Sequence, residues 1–147
     1  MFSGDSKIRM ASNNDRNISS IVVGDLIMNK FNKIVKVLSV HSYVAHDSVA
    51  IQLNNGSNVF YFSPDTIFMC HHILNNGNHE GHYCTMSEIN DNDAKLKSSD
   101  KIFSNESDIE IVTYDPTNVP NTLYCIHTND NTNSFFVNNI IVKGNAH

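Results

Sequence analysis

The 147 residues include no tryptophan, three cysteines, three prolines and six glycines. No apolar run approaches the roughly 18 residues needed to cross a bilayer. The first 20 residues also lack a basic flank followed by a hydrophobic stretch. Neither a membrane span nor a secretory leader is expected, and the expected setting is intracellular. Cys70, Cys84 and Cys125 are an odd number in a chain of domain size, which argues against a disulfide framework. Ten Lys and Arg against fifteen Asp and Glu leave a formal charge of -5, whereas nucleic-acid binders carry a basic stripe. No nucleic-acid partner is expected.

What the chain has in abundance is asparagine, 22 of 147 residues. An AT-rich gene is the simplest source of that number, and Asn also tolerates left-handed turns, so Asn-rich loops can be ordered. Hydrophobic residues at 40% and charged residues at 17% suit one globular domain with a core of useful size. The apolar residues recur at period two, or in short runs rich in Val, Ile, Phe and Tyr bounded by Asn, Asp, Gly and Ser. Strands are predicted at KIRM (7–10), in IVVGDLIMN after a short turn of helix or loop, and at IVKVLSVHSYV (34–44). SVAIQLNNGSNVFYFS (48–63) reads as a hairpin turning at Asn54-Asn55-Gly56-Ser57. IFMCHHIL (67–74), DIEIVTYD (108–115), NTLYCIHT (121–128) and SFFVNNIIV (134–142) complete the set. Only the polar stretch 85–103 has room for a short helix. The whole predicts a compact all-β fold. Segments 21–28 and 94–103 share the order apolar residue, turn with Asp, apolar strand, which hints at an internal duplication.

Four stretches carry more than secondary structure. FSGDSKIRMASNNDRNISSIVVGDLIMN sets Phe2 before an Asp5-Ser6 turn, then Ile8, and then Ile21, Gly24, Asp25 and Ile27 in the order Ile-x-x-Gly-Asp-x-hydrophobic. NNGSNVFYFSPDTIFM runs a hairpin into Ser63-Pro64-Asp65-Thr66. AKLKSSDKIF repeats a turn with Asp, and NTLYCIHTNDNTNSFFVNNIIVKGN closes with a strand, a loop and an Asn-Asn turn. In this order they resemble the sequence blocks of the Hedgehog/intein (Hint) family over essentially residues 1–145, leaving 146–147 as a flanking remnant or tail. The resemblance implies a Hint fold: a curved disc of short antiparallel strands with pseudo-twofold duplication and adjacent termini. The length is that of a mini-intein without an endonuclease insert. Because residue 1 is a reaction centre in that family, a pattern that begins at Phe2 is what the resemblance leads one to expect.

The implied activity is protein splicing, an autocatalytic, single-turnover reaction without a cofactor. Residue 1 attacks the carbonyl upstream of it, the residue after the domain takes over the acyl group, and a terminal Asn cyclises to release the segment. Each step is intramolecular nucleophilic catalysis, helped by near-attack geometry and by donors aimed at the oxyanions. The implied partners are the flanking extein polypeptides in cis, or a complementary half in trans if the domain is split, with 90–99 or 12–17 as natural break points. A monomer is expected, with no membrane partner.

Several positions depart from the family pattern. Met1 stands where the nucleophile belongs, and a thioether has no ionisable proton for the acyl shift. Met1 is either only a start residue or a substitution for cysteine. Ser63 and Thr66 fall on the family's Thr-x-x-His: Ser63 keeps a hydroxyl for the scissile amide, while Thr66 lacks the imidazolium that would protonate the departing nitrogen. His71 or His72 is a candidate replacement. Cys125 stands where many members have Asp, and reads as a helper thiol, as a primary nucleophile or as core packing. Gly144 replaces the penultimate His, Asn145 is the candidate cyclising residue, and Ala146 occupies the position that needs Cys, Ser or Thr. Alternatively, His147 is the penultimate His of a longer segment. Met1 and Ala146 together predict a splicing-deficient chain.

Cys70, His71, His79, His82 and Cys84 lie close in sequence, but their spacing matches no standard zinc knuckle, and no metal is expected. Two rival functions stay open. One is a degenerate Hint module that only binds partners, and the other is Hedgehog-like cleavage without ligation.

Overall fold

Strands with one apolar face must bury that face, and here two antiparallel sheets do so around a common core. The computed structural model describes residues 1–73, 76–77, 79–86, 95–99 and 108–144. In chain order the strands are β1 (Phe2–Ser3), β2 (Lys7–Arg9), β3 (Asp15–Asn17), β4 (Leu26–Met28), β5 (Ile34–Ala45), β6 (Ser48–Leu53), β7 (Phe60–Phe62) and β8 (Ile67–Ile73). They continue as β9 (His79–Cys84), β10 (Lys95–Lys97), β11 (Asp108–Ile109), β12 (Ile111–Thr117), β13 (Asn121–Thr128), β14 (Ser134–Val137) and β15 (Ile140–Lys143). A single 3-10 turn, Ile18–Ser20, links β3 toward β4 among the described residues. The first sheet has the order β12-β6-β7-β1-β13-β5-β4; the second runs β11-β10-β8-β15-β14-β2-β3, with β9 also paired to β8.

The all-β expectation holds. The sequence pattern does not announce β1, β3 or β9. Two of these are only two or three residues long, and β9 is the polar run HEGHYC, so none carries a periodic signal of its own. They exist because a neighbour pairs with them. The short helix considered for 85–103 falls largely outside the described residues; the part described beyond Met86 includes β10. The second copy of the suspected duplication, 94–103, likewise lies partly outside them.

Asparagine has a specific role in the turns. Asn13, Asn32, Asn133, Asn138 and Asn139 all have positive φ, which Asn accepts more readily than most residues. Asn138 (φ 49°) and Asn139 (φ 67°) form the two-residue turn of the β14–β15 hairpin, in register at Val137 and Ile140. Gly24 (φ 94°) donates to the Val37 carbonyl at 2.9 Å, and the Asp25 carboxylate accepts from Val22 N–H at 3.0 Å. The Gly-Asp pair thus locks the turn before β4 and ties it to β5.

Phe2, Phe60, Phe62, Phe68 and Phe135 are buried in the shared core. Phe2 meets Phe135 edge-on at 6.1 Å, and Phe62 meets Phe68 at 5.1 Å. Such pairs contribute beyond the area they bury. Although β1 is two residues long, it lies inside the first sheet, between β7 and β13. Its position rests on the burial of Phe2, which is 1% exposed. Phe2→Ala is expected to cost about 3–5 kcal/mol of stability through lost burial and the cavity left behind, read as a fall in the denaturant midpoint.

Candidate functional site

Register carries residue 1 to the site. Phe2 pairs with Phe62 of β7 and Tyr124 of β13. One residue upstream, the same registers set Met1 beside Ser63 and Cys125. Continuing across the sheet, Ser63 faces Ser48, Ser48 pairs with Thr117, and Cys125 pairs with His41. Opposed residues in antiparallel strands project to the same face, so Thr117, Ser48, Ser63, Met1, Cys125 and His41 form one cross-sheet row. The Met1 carbonyl accepts from Ser63 N–H at 3.0 Å, so its main-chain groups face β7. Met1 and Cys125 are therefore a non-hydrogen-bonded pair, the closer of the two antiparallel arrangements.

The Ser63–Thr66 turn closes with Thr66 N–H donating to the Ser63 carbonyl at 3.0 Å. Both hydroxyls are buried and lie 2.9 Å apart. The Met1 nitrogen donates to Thr66 Oγ1 at 3.2 Å and to Ser63 Oγ at 3.4 Å. Thr66 Oγ1 also lies 3.4 Å from the Met1 carbonyl oxygen. Thr66, which cannot act as an imidazolium, nonetheless contacts the residue 1 nitrogen, and more closely than Ser63 does. Burial pushes the Met1 amine down to about 6, against smaller upward effects of Cys125 and Asp65. Burial raises the Tyr43 phenol, with Asp65 acting in the same direction and a hydrogen bond with Ser63 opposing it.

Gly144 arrives at the neighbouring residue of β13, Ile126. Gly144 is buried, its N–H donates to the Asn133 carbonyl at 2.7 Å, and its carbonyl accepts from Asn133 Nδ2 at 3.0 Å. A Cβ at Gly144 would lie 2.6 Å from the Ile126 carbonyl oxygen and 2.8 Å from Asn133 Nδ2. Met1 and Gly144 are thus gathered at consecutive residues of one strand, Cys125 and Ile126. A side chain at position 144 would have to displace the Ile126 carbonyl or Asn133.

Asn145, Ala146 and His147 lie outside the described residues. His71 does not serve Met1: it belongs to the second sheet, where its Nδ1 contacts the Asp108 carboxylate at 3.1 Å beside the buried Lys97. Cys70 and Cys84 are joined in a disulfide, which the odd cysteine count argued against. They occupy adjacent strands on a diagonal of the β8–β9 register, with Cα atoms 6.4 Å apart, within disulfide range. That bond occupies both sulfurs of the histidine–cysteine cluster. Among the described residues no three His, Cys, Asp or Glu side chains converge as metal ligands. His41, Tyr43 and Asn133 were not anticipated. Alternation over 34–44 puts His41 and Tyr43 on one face, but only the pairing with β13 shows what that face meets.

No family model matches the sequence, and no curated protein is similar to it in sequence. Solved structures do match. The MchDnaB-1 intein superposes with a TM-score of 0.70 at 8% identity, covering 97% of this chain and 99% of that one. The DnaB intein from Synechocystis sp. PCC 6803 gives 0.69 at 16% identity, over 99% and 98%. The bacterial intein-like domain from Clostridium thermocellum gives 0.68 at 14%, over 98% and 97%. The fold is the Hint fold of the inteins. The match covers nearly the whole chain at the size of a mini-intein.

The geometry generates two stability tests. A terminal amine lowered to about 6 from about 8 binds fewer protons in the folded state, so stability rises with pH across that window. For the chain that begins at Met1 the rise is expected to be roughly 2–3 kcal/mol, and acetylating the amine should abolish it. Denaturant titrations at both ends of the window, with and without acetylation, read this out. Gly144→Ala is expected to lower stability by about 1–3 kcal/mol, because the Ile126 carbonyl and Asn133 must both give way. An unchanged denaturant midpoint would contradict that packing.

Proposed function

We propose that the chain is a protein-splicing element whose substrate is the polypeptide of which it forms part. The observation that carries this reading is the meeting of residue 1 and Gly144 at consecutive residues of β13, with 142 residues between them in sequence. A binding module gains nothing from that arrangement. A reaction that joins the polypeptide upstream of residue 1 to the polypeptide downstream of Asn145 depends on it.

In the complete reaction a side-chain nucleophile at residue 1 attacks the upstream carbonyl carbon, the C–N bond to residue 1 breaks, and residue 1 gains an amine. The residue after Asn145 attacks the resulting ester or thioester and takes the acyl group, returning the first nucleophile. Asn145 Nδ2 then attacks its own main-chain carbonyl, the bond to residue 146 breaks, the attacking amide's proton goes to the departing amine, and that amine takes the acyl group from its own side chain, which forms the peptide bond and returns the hydroxyl or thiol. The Ser63 and Thr66 hydroxyls hold the residue 1 nitrogen and polarise the upstream amide. Cys125 acts as a helper thiol beside residue 1, and His41, its cross-strand partner, is the candidate imidazole for proton transfer. Burial that favours a neutral amine favours the products of the first step.

Met1 and Ala146 lack the hydroxyl or thiol that acyl transfer needs, so this chain does not ligate, and its remaining reaction is cleavage after Asn145. Cleavage without ligation is the second reading, and those same two residues favour it. The flanking polypeptides act in cis, the domain works as a monomer, and its location is that of the host protein.

The test places residues 1–147 between two reporter domains. Met1→Cys with Ala146→Ser is expected to yield ligated reporters, and adding Ser63→Ala and Thr66→Ala to lower the rate by roughly 10–1000-fold. The unsubstituted chain is expected to give cleavage after Asn145 alone. If neither ligated nor cleaved product forms from any version, the splicing reading is wrong.

A further inference from the structure

We infer that Tyr43 is a positioning residue for the first step of the reaction, because it aims the Ser63 hydroxyl at the residue 1 nitrogen. The inference rests on the splicing reading and adds to it a residue outside the Ser63–Thr66 turn. Tyr43 lies on β5, two residues beyond His41 and on the same face of the strand, in register with Leu123 of β13. Its hydroxyl hydrogen-bonds with Ser63, and its phenol interacts electrostatically with Asp65 and Cys125. β5 and β7 are three positions apart in the sheet, with β13 and β1 between them. In a flat sheet that separation is about 14 Å, too far for one ring to bridge. The sheet therefore curls toward this face, and Tyr43 crosses it where Cys125 and Met1 stand between the two strands. Tyr43 is 40% exposed and Ser63 is 3% exposed, so the side chain comes in from the surface and its hydroxyl ends at a buried one.

A serine hydroxyl has one proton to give and two lone pairs to fill. Ser63 Oγ lies 2.9 Å from Thr66 Oγ1 and 3.4 Å from the Met1 nitrogen. The Met1 amine donates to both hydroxyls, but once residue 1 is linked to an upstream residue its nitrogen keeps a single N–H. Thr66 Oγ1, the nearer acceptor at 3.2 Å, takes it. When Thr66 O–H and Tyr43 O–H both donate to Ser63 Oγ, its lone pairs are filled and its own proton is left for the nitrogen. Without Tyr43, Ser63 O–H is free to turn to Thr66 instead. A hydrogen bond received from Tyr43 also polarises Ser63 O–H and strengthens its donation. A donor aimed at the nitrogen weakens the resonance of the amide and stabilises the amine as the C–N bond breaks. In that step a residue 1 thiol adds to the upstream carbonyl carbon, the C–N bond breaks, and the thiol's proton ends on the nitrogen. Tyr43 neither gains nor loses a proton overall.

The experiment uses the chain between reporter domains in the Met1→Cys background, with Ala146 retained so that the reaction stops at the thioester. An added small thiol cleaves that thioester, and the rate at which the upstream reporter is released is measured. Tyr43→Phe removes only the hydroxyl and is expected to lower this rate by roughly 10–100-fold. In a Ser63→Ala background the same change is expected to stay within about twofold, because the hydroxyl it acts through is gone. A second variant, Tyr43→3,5-difluorotyrosine, carries a hydroxyl that ionises well below that of tyrosine. Its rate is expected to match the parent in acid and to fall toward the Tyr43→Phe rate as pH rises through that ionisation, since a phenolate cannot donate. His41 on β5, Cys125 on β13, Asp65 after β7 and the residue 1 thiol face the same site and titrate in every variant, so the ratio to the parent is taken at each pH. An unchanged Tyr43→Phe rate, an equal loss with and without Ser63, or a difluorotyrosine ratio that stays flat with pH would each overturn the inference alone. A parent that releases no reporter overturns the splicing reading and the inference with it.

Discussion

The whole arrangement depends on a strand of two residues. Phe2 and Ser3 make β1, and it lies inside the first sheet rather than at its edge. Here Phe2 is buried against Phe135, and pairing to β7 on one side and β13 on the other fixes the residue before it. Ser3 adds a side-chain anchor, since its Oγ accepts from Tyr61 N–H at 3.0 Å. Met1 is consequently held by main chain, next to two buried hydroxyls and a thiol.

That constraint determines the chemistry of the site. A row of short polar side chains crosses the sheet at the level of Met1, with hydroxyls on the β7 side and a thiol and an imidazole on the β13 side. Hydroxyls hold an amide nitrogen without bringing a charge into a buried place, and burial disfavours charge there, as the lowered amine shows. Around Gly144 the same economy of charge holds. An asparagine amide and a glycine backbone do the holding, and the carboxylate of that loop, Asp130, is satisfied by neutral donors.

Much of this is legible in the sequence, for identifiable reasons. Alternation over 34–44 and 121–128 is long enough to announce β5 and β13, and Asn138-Asn139 between apolar runs announces the last hairpin. Block order singles out Met1, Ser63, Thr66 and Cys125, and the fold brings them together. Block order does not reach the second sheet equally well. His71 looks available for the site, yet β8 pairs with β10 and β10 with β11, and this commits it to Asp108. The Cys70–Cys84 bond escapes a sequence reading because β9 has a polar sequence, and only its register against β8 brings the two sulfurs together. The hydrogen bonds between Asn133 and Gly144 are invisible in the sequence, because one asparagine among 22 carries no local mark. Gly144 stands out as a missing histidine; the fold adds that the Ile126 carbonyl occupies the space.

The central claim is that residue 1 faces Cys125 across β1 and β13. The most direct measurement is disulfide trapping in the folded chain carrying Met1→Cys, with Cys70 and Cys84 both replaced by Ser, under mild oxidation. A non-hydrogen-bonded antiparallel pair brings Cα atoms to about 4.5 Å, within disulfide range. The predicted result is a bridge between position 1 and Cys125, identified by peptide mass spectrometry and lost on unfolding before oxidation. Two thiols that alkylate independently in the folded protein, with no bridged peptide, would contradict it.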